Sequence, residues 1–181
     1  MDKLMGVILC GGESRRMGRD KGLILKDGVP WALYMTDKLK PFSLSVVLSV
    51  NAVQADDYTA QFPPVRLVVD KEDIPAGGPL KGLLSVHERF PDKDLLLLAC
   101  DMVDMDRATI GQLLEGYRAG GGYEWYAYRQ EEFFEPFCAI YTAVGLTAAP
   151  PHISLQRLLR QGRTKALAVS NKDAFRNYNT L

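Results

Sequence analysis

This sequence is short of the side chains that most enzymes use as nucleophiles, bases or metal ligands. Its three cysteines, Cys10, Cys100 and Cys138, form no Cys-x-x-Cys pair and are odd in number. That fits buried thiols in a reducing cytoplasm better than a disulfide framework or a cysteine zinc site. Histidine is scarcer still. His87 and His152 are the whole supply of imidazoles, and each reads as a helix or loop residue rather than as the base a cysteine nucleophile needs. Neither sign of charge is in excess, with 22 Lys plus Arg against 22 Asp plus Glu, which argues against nucleic-acid or membrane-surface binding. No apolar run reaches the ~18 residues of a spanning helix, and the N-terminus has no signal-peptide pattern, so a cytoplasmic location is expected. The two commonest nucleotide motifs, Gly-x4-Gly-Lys-Ser/Thr and Gly-x-Gly-x-x-Gly, are missing as well.

What the chain does have is a cation cluster behind a glycine pair. Met5–Cys10 is a short apolar run with the length and β-branching of a buried strand. It leads directly into Gly11 and Gly12, followed by Arg15, Arg16, Arg19 and Lys21. Glycines let the main chain approach a ligand closely, and successive backbone N–H groups in such a turn can converge on one anion. Arginine and lysine add charge-assisted donors suited to triphosphate oxygens. In a protein of zero net charge, this concentration points to a small anionic ligand, although a Gly-Gly surface turn with solvated charges has the same local composition.

At 181 residues the chain is expected to fold as one domain, residues 1–181, burying about 70% of its unfolded surface. Apolar runs recur at Met5–Cys10, Val46–Val50, Val65–Val69 and Leu95–Cys100, with room for helices between them. Trp31–Leu39 is helical in pattern, as is the stripe Leu80, Leu83, Leu84, His87, Phe90 behind Pro79. Strands alternating with helices predict a three-layer, Rossmann-like α/β fold with a mostly parallel sheet. Thr109–Tyr117 reads as a helix ending at Gly120-Gly121-Gly122. Tyr123–Arg129 and Glu135–Tyr141 read as an antiparallel pair added to the parallel core. Ser154 is placed to cap a helix over Leu155–Arg160, with a last strand at Lys165–Val169.

In open α/β sheets ligands sit beyond the carboxyl ends of the strands. The run Asp94 to Cys100 emerges there at Asp101, a carboxylate suited to holding Mg²⁺ against triphosphate oxygens. A turn-capping Asp101 is the weaker alternative, because two strand ends converge there on complementary chemistry; Asp104 and Asp106 are better placed to cap the next helix, and Asp104 is a candidate second ligand. Asn51 and Asp70 end two further strands on the same edge. By local chemistry each is as much a turn former as a ligand contact.

Leu9 to Lys21 resembles the Leu-Ala-Gly-Gly-x-Ser-x-Arg-Met-Gly-x-Asp-Lys motif of nucleotidyltransferases, most closely that of molybdenum cofactor guanylyltransferases. Cys10 stands where that family usually has alanine. Asp101-Met102 is similar to the start of the family's Asp-Met-Pro segment, with Val103 replacing the proline. Ala76 to Leu83 is similar to its Gly-Pro-Leu-Ala-Gly helix start, with Lys81 in place of alanine. Glu135 to Tyr141 is similar to its Pro-x-Phe-Ala-Leu-Tyr strand, and Asn177-Tyr178-Asn179-Thr180 to its Asn-x-Asn-Thr.

The resemblance implies transfer of GMP from Mg-GTP to the terminal phosphate of molybdopterin or Mo-molybdopterin, with release of pyrophosphate. It implies nucleotide contacts from Leu9, Cys10, Gly11, Gly12, Arg16, Lys21, Asn51, Asp70, Gly78 and Asp101. Lys21, Arg15 and Asp101 would be the catalytic set, Asp101 the Mg²⁺ ligand, and Asn177 and Asn179 the acceptor side. Other cofactor-assembly proteins are further expected partners. Rival readings are a cytidylyltransferase on the same cofactor, a sugar-1-phosphate nucleotidyltransferase, and a non-catalytic nucleotide-binding adaptor. Against the last, a binding module has no need of both Lys21 and Asp101.

Overall fold

The structure, a computed structural model, describes residues 3–11, 20–62 and 64–178. Its strands and helices follow in chain order: β1 (Leu4–Leu9), β2 (Leu25–Lys26), β3 (Val29–Pro30), α1 (Trp31–Leu39), β4 (Ser45–Val50), α2 (Ala55–Gln61), β5 (Arg66–Val69), α3 (Gly78–Arg89), β6 (Asp94–Ala99), α4 (Arg107–Arg118), β7 (Trp125–Gln130), β8 (Phe133–Tyr141), α5 (Ala143–Thr147), α6 (Leu155–Gln161) and β9 (Thr164–Ala168).

β1 and β6 are buried along their whole length, as expected of strands covered on both faces. They lie side by side and parallel in the middle of a seven-stranded sheet ordered β5-β4-β1-β6-β8-β7-β9. Leu9 pairs with Ser49 on one side and Ala99 on the other, and Val50 pairs with Val69. Four strands therefore end at one level, delivering Cys10, Asn51, Asp70 and Cys100 to a common edge.

Two helical layers cover the sheet. On one face, Met35 and Leu39 of α1, Tyr58 of α2 and Ile110 and Leu113 of α4 pack on Ile8, Leu48 and Leu98. On the other, Leu80, Leu83 and Val86 of α3, Leu146 of α5 and Leu158 of α6 pack on Val7, Val47 and Leu97. At Gly82 α3 lies close against the sheet. A Cβ there would stand 2.6 Å from Ser49 Oγ and 2.8 Å from Leu9 Cδ1.

The expected antiparallel pair, β7 and β8, is present beside the parallel core. β8 pairs antiparallel with β6 on one side and β7 on the other, while β7 and β9 are parallel. β8 is thus the one reversed strand, and it sits inside the sheet, where four of its residues from Cys138 to Tyr141 are fully buried. The last helix and strand lie where expected, and Ser154 Oγ accepts from the Arg157 amide.

A small hairpin separates β2 from β3. Its turn, Asp27-Gly28, has positive φ at both residues (52° and 78°), the geometry of a type I′ connection. Among the described residues, no helix is long and apolar enough to cross a membrane.

Candidate active site

The site is built at the carboxyl edge. The chain leaves β1 with the amides of Cys10 and Gly11 both donating to the Ser49 carbonyl, at 2.8 and 3.0 Å. That draws Gly11 against β4 and β5. A Cβ on Gly11 would lie 3.5 Å from both the Asn51 amide nitrogen and Asp70 Oδ2. Leu9, Cys10, Gly11, Asn51 and Asp70 thus occupy one corner. Asp70 Oδ1 and the nearby Ser49 Oγ are buried without a hydrogen-bond partner among the described residues. Burial pushes the Asp70 carboxyl up to about 6, against the opposing pull of Lys81.

Lys21 reaches the neighbouring strand end from a single 3-10 turn, Lys21–Leu23. Its ammonium lies 2.6 Å from Asp101 Oδ2, and both side chains are largely shielded from solvent. The two residues singled out for charge work are therefore in contact with each other, 80 positions apart in the chain. Asp20, which caps the turn through the Gly22 amide, is held from behind. Its carboxylate accepts from Gln54 Nε2 at 2.5 Å and from the Tyr58 hydroxyl at 2.8 Å. Gly22 has no Cβ because Tyr58 fills that space. Burial, the neighbouring thiols and Asp20 hold the Tyr58 hydroxyl far above its ordinary pKa, so it remains a donor.

Gln54 and Tyr58 were not singled out from sequence. The available signal was Asn51-x-x-Gln54, a helix-start pairing. Gln54 N donates to Asn51 Oδ1 and Asn51 N to Gln54 Oε1, each at 3.0 Å.

Asp104, the candidate second ligand, is engaged with side chains of other elements. It accepts from the Tyr178 hydroxyl at 2.6 Å and pairs with Lys26 and Arg176. Asp106 is the N-cap of α4. The Tyr178 amide donates to the Asp101 carbonyl at 3.3 Å, so the exposed Asn177 lies next in the chain to that contact. Gly78 opens α3, on the face of the sheet opposite α1 and α2, at a φ of +55°, with nothing within 4 Å of its missing Cβ among the described residues. Gly12, Arg15, Arg16 and Asn179 lie outside the described residues.

The cysteines are free and buried. A hydrogen bond with Cys10 and burial push the Cys100 thiol well up, which removes it as a nucleophile. Among the described residues, no three His, Cys, Asp or Glu side chains cluster to hold a metal by themselves. A lone carboxylate suits a cation that takes its other ligands from phosphates and water, as Mg²⁺ does.

Among the described residues, the parallel strands bring Gly11, the Lys21 ammonium and the Asp101 carboxylate to one edge, and the family match makes the chain a nucleotidyltransferase. The family of MobA-like NTP transferase domains matches residues 6–172, and the chain belongs to it. It is similar to a molybdenum cofactor guanylyltransferase of Pseudomonas putida, 34% identical over 92% of this chain and 87% of that protein. A molybdenum cofactor biosynthesis bifunctional protein of Synechocystis is 31% identical over 79% of this chain, which corresponds to only 40% of the longer relative. Among solved structures, molybdopterin-guanine dinucleotide biosynthesis protein A of Archaeoglobus fulgidus superposes with a TM-score of 0.77 at 20% identity, over 98% of this chain and 93% of that one. A Mycobacterium tuberculosis protein solved in complex with manganese superposes at 0.67 and 18% identity, over 92% and 88%.

Proposed function

We propose that this nucleotidyltransferase moves GMP from GTP to the terminal phosphate of molybdopterin, with or without its metal, releasing pyrophosphate. The observation that carries the reading is the shielded Lys21–Asp101 pair at the end of β6, joined to the family membership above. An oxygen of the acceptor phosphate attacks the α-phosphorus of GTP. The bond from that phosphorus to the oxygen bridging to the β-phosphate breaks, and pyrophosphate leaves with the electron pair. The attacking oxygen is already an anion at neutral pH, so the step needs no general base, in keeping with a site that has no imidazole. Catalysis is then positioning and charge neutralisation.

Lys21 donates to the α-phosphate oxygens as negative charge develops on the leaving group. The Gly12 amide, with Arg15 and Arg16, holds the β- and γ-phosphates, while the Gly11 amide stays on the Ser49 carbonyl. Asn51, Asp70 and Gly78 line the nucleoside side, and Asn177 and Asn179 the acceptor side. Asp101 is the residue that would hold Mg²⁺, whose chemistry there is neutralisation of triphosphate charge.

The test is pyrophosphate release from GTP, CTP, ATP and UTP with Mg²⁺, with and without molybdopterin. Release that requires GTP and molybdopterin together is the expected result. Release with CTP moves the base assignment to a cytidylyltransferase. A sugar-1-phosphate acceptor that replaces molybdopterin moves the acceptor assignment. Nucleotide binding with no release under any of these conditions overturns the enzymatic reading in favour of an adaptor.

A further inference from the structure

The Gln54 carboxamide is 9% exposed and fully employed. Its oxygen accepts from the Asn51 amide at 3.0 Å, and its nitrogen donates to the Cys10 carbonyl at 3.0 Å and to Asp20 Oδ2 at 2.5 Å. One side chain thus ties together the exit of β1, the exit of β4 and the residue before Lys21. The bonding pattern is specific for an amide. The same position must present an acceptor to a backbone N–H and two hydrogens to two oxygens. A glutamate would face the Cys10 carbonyl and the Asp20 carboxylate with acceptors only, and an apolar side chain would leave all three partners unmet. Tyr58 secures the other oxygen of Asp20, so the carboxylate is held on two sides immediately ahead of the lysine that meets Asp101.

We propose that Gln54 is a positioning residue for nucleotidyl transfer. By fixing Asp20 against the end of β1, it sets the Lys21 ammonium at Asp101, where charge develops. Gln54 touches no reacting atom in this account; it acts through Asp20 and Lys21, in the manner of outer-shell groups whose loss costs about 10–100-fold. The inference rests on the nucleotidyl-transfer reading above, but not on the identity of the base or acceptor.

The experiment is a double-mutant cycle between Gln54→Met and Lys21→Ala, read as single-turnover kcat at saturating nucleotide. Alongside it, the Lys21 ammonium signal of ¹⁵N-labelled protein is recorded, assigned by its loss in Lys21→Ala. Gln54→Met is expected to lower kcat by at least about tenfold in the wild-type background, to have almost no further effect once Lys21 is gone, and to shift the Lys21 signal. Should Gln54→Met fold poorly, Tyr58→Phe removes one donor to Asp20 with the ring retained; it should give a smaller loss with the same non-additivity. An equal loss in both backgrounds, or wild-type kcat with an unmoved Lys21 signal, overturns the proposal. A shifted Lys21 signal in a protein that transfers no nucleotide supports the positioning role and overturns the reading of the reaction instead.

Discussion

A lysine and a carboxylate 2.6 Å apart and largely shielded neutralise one another, and truncating either leaves the other uncompensated. For Lys21→Ala the expected loss is at least about a hundredfold in turnover, the scale of one preorganised electrostatic group. Steady-state pyrophosphate release measures it, and near-normal turnover would remove Lys21 from the mechanism. Asp70 gives a prediction in pH. Its folded-state pKa, about 6 through burial, is above that of an unfolded aspartate, so the folded protein holds the proton more tightly. The stability this contributes is full below about pH 4 and is lost as pH rises through 6. Asp70→Asn should therefore gain stability relative to the parent between pH 4 and 7, by up to about 3 kcal/mol at pH 7, read from urea midpoints across that range. A constant difference would sink the assignment. At this scale, sequence reading finds the candidates that sit at their own strand end: Gly11 after β1, Asp101 after β6. It misses Gln54 and Tyr58, because their meaning arises only when folding brings Cys10 and Asp20 to one helix start.

At the scale of elements, period and caps were the legible signals. The runs around β1, β4, β5 and β6 read correctly to within a residue; for β1 and β6 the reason is that strands covered on both faces are nearly continuous apolar stretches. α1 has its expected bounds, Trp31–Leu39, and α3 starts one residue before Pro79. α5 was not marked out: five residues carry too little periodicity to register. The pairing of β8 with β7 was legible, but its second partner, β6, was not, since a strand's local pattern says that it is buried but not which strand lies on its far side. Caps can be tested directly. Asp106 Oδ1 accepts from the Thr109 amide at 2.7 Å and its other oxygen takes Thr109 Oγ1 and Asn171 Nδ2. Asp106→Ala removes all three contacts and should destabilise the protein by about 1–2 kcal/mol, read as a fall in the denaturant midpoint with unchanged slope. No change would mean that α4 is held by its buried face alone.

For the whole molecule, the reversed strand decides how the halves are joined. β8 is hydrogen-bonded on one side to β6 of the parallel core and on the other to β7, so the two parts of the sheet share a continuous ladder. Packing runs across the same seam on both faces. Ile8 and Leu48 fall in one apolar cluster with Tyr126 and Tyr128, and Val7 and Val47 in the other with Trp125 and Ala127. Buried Asp94, at the start of β6, accepts from the Tyr117 hydroxyl of α4 at 2.6 Å and the Ala143 amide of α5 at 2.8 Å, joining the two helical layers. We propose from this continuity that the chain unfolds as one cooperative unit. Its two tryptophans make the test unusually direct. Trp31 sits in α1 against Tyr178 on one side of the molecule, and Trp125 in β7 against Tyr141 on the other, both buried. In Trp125→Phe, fluorescence reports the first region alone; in Trp31→Phe, the second. Each variant's fluorescence transition in urea should coincide with its own far-UV circular dichroism transition. A fluorescence midpoint displaced from the circular dichroism midpoint in either variant would mean that the seam at β8 parts before the rest, and that the sheet is two folding units joined by one strand.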